Sequence, residues 1–286
     1  MSTLLTLIRD PAESEALIGY SLGLAYDMKM DVKILHIENP VNYPLGTPDL
    51  SGVAYARLQK SLEVKNEEAE RALTQQVKES ISKLPSGIPV EVLTSIGNEN
   101  QIIGEFVDSD RAQMIMLEST GFDSFLVKDT FVKEVIRHAD CPVWVIPEKA
   151  RYRTLEQIIY ATDYQEEDMG TLKRLVELTS GFSPHIHALH ITHNADFELK
   201  IRKAGFQKMI EKETGYEKIS VKALVEKEGE EMIELLNGFA SIVEADLIVI
   251  LKENKGFFDR IFHPSSTEKL IEETDRPVLV YHSNNR

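Results

Sequence analysis

The 286-residue chain has one cysteine, Cys141, and one tryptophan, Trp144. A single thiol excludes an internal disulfide and any cysteine-rich zinc cluster. No run of 18 apolar residues occurs, so no segment reads as a membrane-spanning helix. The opening "MSTLLTLIRDPAESEAL" lacks a basic start and turns acidic too early for a secretory signal, which makes the cytoplasm the expected location. Positive charge is also scarce. Lys and Arg total 32 against 47 Asp and Glu, a net charge of -15. Nucleic-acid partners require a cationic footprint and are therefore not expected. The acidic residues spread over amphipathic stretches such as "EVKNEEAERALTQQVKES", as on a solvated surface. A small anionic ligand stays open, because it responds to local backbone dipoles more than to net charge.

What is present is a repeated alternation of β-branched runs and helix-period stretches, the pattern of βαβ units around a parallel sheet. The first half offers the strands "LLTLI", "VKILHI", "PVEVLT", "QMIML" and "PVWVI"; the second offers "QIIYAT", "IHALHI", "SVKALV", "DLIVI" and "PVLVY". Local landmarks also repeat. "ILHIEN" from Ile34 pairs with "ALHITHN" from Ala188, Gly97 with Gly229, and Pro142 with Pro277. The offset falls from 154 residues at the first pair to 135 at the last, so the first copy carries extra residues. They lie in "ENPVNYPLGTPDLSGVAY", whose Pro and Gly mark a long loop over Asn39 to Tyr55, expected to be mobile or folded over a first-half site. Two domains follow, 1–148 and 149–286, with the boundary at "PEKARYRTLEQ".

"HIHALHITHN" places four histidines in nine residues and invites a metal reading. Alternation along a strand sets His185 and His187 on one face and His190 on the other, with His193 in the following loop. One strand does not bring all four to one ion, and no partner carboxylate or thiolate is nominated. His190 matches His36 of the first copy, where no cluster exists. A sheet position explains it better than a ligand, and no metal is expected.

These landmarks resemble tandem universal stress proteins. "IIYATDYQEEDMGTL", "ALHI", "EADLIVI" and "DRPVLVY" carry the likeness in the second half; "KILHIEN", "IRHADCPVWVIP" and, more loosely, "LLTLIRDPAESEAL" carry it in the first. The resemblance implies an α/β fold of two tandem doubly wound domains. Each would be a five-stranded parallel sheet of order 3-2-1-4-5 with helices on both faces and a ligand cleft at the switch point between strands 1 and 4. It also implies that the last strands pair across the two domains, an intramolecular partnership beside which a homo-oligomer and other protein partners stay open.

In nucleotide-binding members an aspartate after strand 1 and the end of strand 2 hold adenosine, and a G-x-x-G…G-[ST] motif wraps the phosphates. Carried over, the adenosine roles fall on Asp163 and Ile191 in the second copy and on Asp10 (with a two-residue gap) and Ile37 in the first. The phosphate-side hydroxyls fall on Ser265 and Ser266 in the second and on Thr130 in the first, and Gly229 and Gly97 match the family's glycine after strand 3. The glycine motif itself is lost. Its G-[ST] aligns with Asp129-Thr130 and Pro264-Ser265, and its earlier glycines with Met116, Ser119, Leu251 and Asn254. An aspartate repels a phosphate and a proline removes an N–H donor. Helix capping accounts equally for the hydroxyls of Thr130 and Ser265. No Walker motif or nucleophile elbow appears. The expectation is a non-enzymatic stress-response protein with degenerate nucleotide sites, acting as a scaffold or small-ligand-binding module without a cofactor. The alternative is an ATP- or AMP-binding stress protein that uses mainly the second domain.

Overall fold

The fold is described from a computed structural model, which covers residues 2–40, 52–108, 112–119, 130–148, 150–193, 196–227, 232–252 and 274–282; side chains 52–55, 108 and 130 are excluded. The first half contains β1 (Thr3–Ile8), α1 (Glu15–Met28), β2 (Asp31–Glu38), α2 (Gly52–Ile81), β3 (Val90–Ile96), α3 (Glu99–Asp108), β4 (Met114–Ser119), α4 (Thr130–His138) and β5 (Val143–Pro147). The second contains β6 (Gln157–Ala161), α5 (Glu167–Leu178), β7 (His185–Thr192), α6 (Phe197–Thr214), β8 (Ile219–Val225), α7 (Met232–Ile242), β9 (Leu247–Lys252) and β10 (Val278–His282). Residues 267–273 of the expected helix "TEKLIEET" and residues 41–51 of the expected long loop lie outside the described residues.

Ten strands form a single sheet in the order β3-β2-β1-β4-β5-β10-β9-β6-β7-β8. Each half thus has the local order 3-2-1-4-5, all parallel, and each half reverses direction between its first and fourth strands. The halves meet where β5 pairs antiparallel with β10, with Val145 opposite Val278, Trp144 opposite Leu279 and Val143 opposite Val280. This is the last-strand pairing that the resemblance implies. It turns two sheet edges, each a template for misassociation, into an interior ladder.

Both faces of the sheet are covered, which explains why a strand such as "TLLTLI" is mostly apolar and buried at every position. One face packs on α1, α2, α5 and α6 through residues including Ile18, Leu73, Leu172 and Phe206. The other packs on α3, α4 and α7 through Ile103, Val132 and Leu236. Both cores run unbroken across the seam, with Trp144 and Leu279 on one side and Val145 and Val280 on the other. The linker is fastened too. Tyr152 stands edge-on to Tyr20, with ring centroids 5.4 Å apart, and its hydroxyl donates to Asp27. A Cβ on Gly23 would run into the Tyr152 ring, so glycine is what admits the linker against α1.

Candidate functional site

The first half opens a cleft of about 600 Å³ at its switch point. Its floor is the carboxyl ends of β1 and β2, from Leu7 to Ala12 and from Leu35 to Asn39. Lys65, Glu68, Ala69 and Ala72 of α2 form one wall; Glu99 of α3 and Phe131 of α4 form another. The space exists because α2 presents alanines where a larger side chain would fill it. Gly97, at φ +157°, ends β3 and donates its N–H to the Glu38 carbonyl, tying the rim together at 3.1 Å.

Among the described residues, two cations, Arg9 and Lys65, share this lining with four carboxylates, Asp10, Glu38, Glu68 and Glu99. Arg9 lies over the Phe131 ring at 5.5 Å. Burial pushes the Glu99 carboxyl above its ordinary range, against the pull of Arg9, a hydrogen bond with Asn39 and the charge of His36. His36 is 4% exposed. Its Nδ1–H donates to the Ile8 carbonyl at 2.9 Å, which turns Nε2 toward Glu38 at 3.5 Å.

Among the described residues, the equivalent place in the second half holds the Tyr164 ring. His190 repeats the bond of His36, its Nδ1–H donating to the Thr162 carbonyl at 2.9 Å. Tyr164, at φ +57°, turns its ring onto His190 and Phe206, with centroid distances of 4.7 and 4.9 Å. Its hydroxyl donates to the Lys222 carbonyl at 2.8 Å, fixing the ring across β8. A turn held by Asp168 supports this plug. The carboxylate of Asp168 accepts from Tyr160, Thr162 and the Gln165 N–H at 2.7–2.9 Å, while burial still pushes its pKa up.

The residues carried over by resemblance fare differently. Asp10 and Ile37 line the first-half cleft, but the Asp10 carboxylate is engaged with the Ala12 N–H at 2.8 Å in the turn after β1. Gly97 borders the cleft without lining it. Asp163 is 3% exposed; its Oδ1 lies 3.6 Å from His190 Nδ1 and has no hydrogen-bond partner. Burial pushes its carboxyl up, opposed by His190 and Arg202, and Arg202 donates to its backbone carbonyl at 2.8 Å. Ile191 packs into the core on the face opposite Phe206. Thr130 begins α4, its side chain lying outside the described residues, as do Gly229, Ser265 and Ser266.

Sequence reasoning missed Arg9, Lys65, Glu68 and Glu99. One signal for Arg9 was present. Ile8 pairs with His36 across β1 and β2, and His190 bonds Thr162 in the same manner, so the ungapped offset of 154 sets Arg9, not Asp10, at the place of Asp163.

The histidine strand divides as its alternation predicts. His185 and His187 stack at 4.5 Å on the face that meets Phe239, and His190 lies on the face that meets Tyr164. His187 donates through Nε2 to Gln157 at 3.0 Å and accepts from Ser220, whose oxygen also takes the Nε2–H of His185, both at 3.1 Å. Among the described residues no group of three or more His, Cys, Asp or Glu side chains is placed to hold a metal ion.

Two switch-point α/β domains fused through their last strands define the class of this molecule. A model of the universal stress protein family matches residues 1–147 and again residues 154–282, and the chain belongs to that family. A universal stress protein from Archaeoglobus fulgidus DSM 4304 is similar over 98% of each chain, with a TM-score of 0.70 at 16% identity. A Pseudomonas aeruginosa UCBPP-PA14 protein named for the same family covers 99% of this chain and 94% of its own, with a TM-score of 0.61 at 17% identity. At such identities the likeness is one of fold. No curated protein matches the chain.

Proposed function

We propose that this protein is a non-enzymatic member of the stress-response family that binds a small polar ligand in its first-half cleft. The second half acts as a filled copy that completes the sheet. The asymmetry between the two switch points carries this reading: about 600 Å³ of open space in one, the Tyr164 ring on His190 and Phe206 in the other. The volume suits a nucleoside-sized molecule. The lining argues against chemistry. Among the described residues no serine, threonine or cysteine faces the cleft, and its one histidine is committed to the Ile8 carbonyl.

Charge narrows the ligand. Four carboxylates against Arg9 and Lys65 disfavour a triphosphate, each close repulsion costing about 1 kcal/mol or more depending on exposure. A nucleoside or its monophosphate, with donors for the carboxylates and at most one phosphoryl group for Arg9 and Lys65, fits better. The test is a thermal-shift titration with adenosine, AMP and magnesium ATP. Saturable stabilisation by adenosine or AMP, approaching about 2.7 kcal/mol at a hundredfold excess over Kd, is expected, with ATP much weaker. Stabilisation by ATP above the other two, or none by any, contradicts the reading.

A further inference from the structure

A second, smaller cavity of about 110 Å³ lies on the other side of the molecule, between the halves, where β6, β9 and β10 begin. Its lining comes from three separate parts of the chain. Tyr20 belongs to α1, Ala150, Arg151 and Arg153 to the linker, and Ala245, Asp246 and Asp275 to Pro277 to the approaches of β9 and β10. In a chain of net charge -15, three guanidinium groups around one small cavity are a local inversion of the overall field.

The two acids in the lining are largely spoken for. One oxygen of Asp246 accepts the backbone N–H groups of Glu156 and Gln157 at 2.8 and 3.0 Å. Asp275 contacts Arg276 Nε at 3.2 Å, yet that Nε is buried without a hydrogen bond of acceptable geometry. A buried donor left without an acceptor is costly, and such groups call for explanation. Arg151 and Arg153 have no ion pair or hydrogen bond among the described residues.

The linker is built to hold these arginines in place. Arg151 and Arg153 line the cavity, whereas Tyr152 between them packs on α1. Tyr152 is anchored on Gly23, Tyr20 and Asp27. We propose that this interdomain cavity is a binding site for one tetrahedral oxyanion, a phosphate or phosphoryl group, held by Arg151, Arg153 and Arg276. About 110 Å³ has room for roughly four waters, hence for one such group and not for a nucleotide. Guanidinium forks match oxyanion geometry, and the Arg276 Nε–H would gain the acceptor it lacks. Because the lining spans α1, the linker and the second half, occupancy would clamp the two halves together.

The test is a melting-temperature titration of the full chain with inorganic phosphate and, separately, with glycerol phosphate, at constant ionic strength. Wild type should show a saturable rise with phosphate. The double variant Arg151→Gln/Arg153→Gln changes only exposed side chains and should lose affinity roughly tenfold or more, whereas Arg151→Lys/Arg153→Lys should retain part of it. An equal response to glycerol phosphate identifies the phosphoryl group as the recognised chemistry; a response to inorganic phosphate alone identifies the free anion. A flat titration overturns the site. So does an unsaturable rise shared by wild type and the glutamine variant, which is the general effect of excluded salts.

Discussion

The two halves share a sheet order and a histidine-to-carbonyl bond, yet they use the space above that bond in opposite ways. Arg9 stands where Asp163 stands, so the charge at the end of the first strand is inverted. Asp10, in its exposed turn, stands at the position that Tyr164 takes in the second half. The helix after the second strand brings Ala69 and Ala72 to one site and Phe206 to the other. Duplication preserved the frame because the frame is set by backbone pairing and buried aliphatic side chains. Cleft contents depend on a few positions that the frame does not constrain, and there the copies diverged.

The largest expected effect comes from breaking the plug. Phe206 is 3% exposed and packs on Tyr164, so Phe206→Ala should cost about 3–5 kcal/mol in chemical denaturation. A loss below about 1 kcal/mol would mean that the second switch point is not filled as described. Next is the turn beneath it. Asp168→Ala strands the donors of Tyr160, Thr162 and Gln165 and should cost roughly 2–3 kcal/mol. In the first half, Ser14 before α1 donates its hydroxyl proton to Gln76, whose amide in turn donates to the Pro11 carbonyl, and Ser14→Ala should cost about 1 kcal/mol. Equal losses at Asp168 and Ser14 would remove this distinction between the halves.

A pH dependence should also belong to the second half. Burial, with the charges of His185 and Lys222, lowers His187 to about 4 from its ordinary 6.5. The folded state therefore binds fewer protons than the unfolded chain between these values. The stability this contributes is present above pH 6.5 and is lost as pH falls toward 4. Asp163 and Asp168 act with the opposite sign, since burial raises both and folding gains as they protonate. Comparing wild type with His187→Gln isolates the histidine. The variant should show a shallower fall between pH 6.5 and 5, and parallel curves would contradict the assignment.

The fold was legible because its determinants are periodic and repeated. The strand runs, the paired "LHI" segments and the two Pro-led last strands pointed to two like sheets; the family resemblance implied that they join at their final strands, and the β5–β10 ladder realises that arrangement. The site was less legible. Tyr164 and Phe206 read as ordinary aromatics in sequence, and only a positive φ at Tyr164 turns the ring into the cleft. Lys65 and Glu68 sit within a long charged helix whose register over the sheet is a tertiary property. Placing the first-copy aspartate by residue type favoured Asp10 over the in-register Arg9, and this hid the inverted charge.

The smallest expected change in stability gives the sharpest test of the central claim, that of the two switch points the first-half cleft is the one that takes a ligand. Ala72 lines the cleft from an exposed position on α2, so Ala72→Phe should change folding stability by less than about 1 kcal/mol while filling the space. Calorimetric titration of wild type and Ala72→Phe with AMP compares them directly. Saturable binding of one AMP per chain in wild type, weakened by roughly tenfold or more in Ala72→Phe, is the predicted result. Undiminished binding in the variant would place the ligand elsewhere and contradict the assignment of an open first half and a filled second.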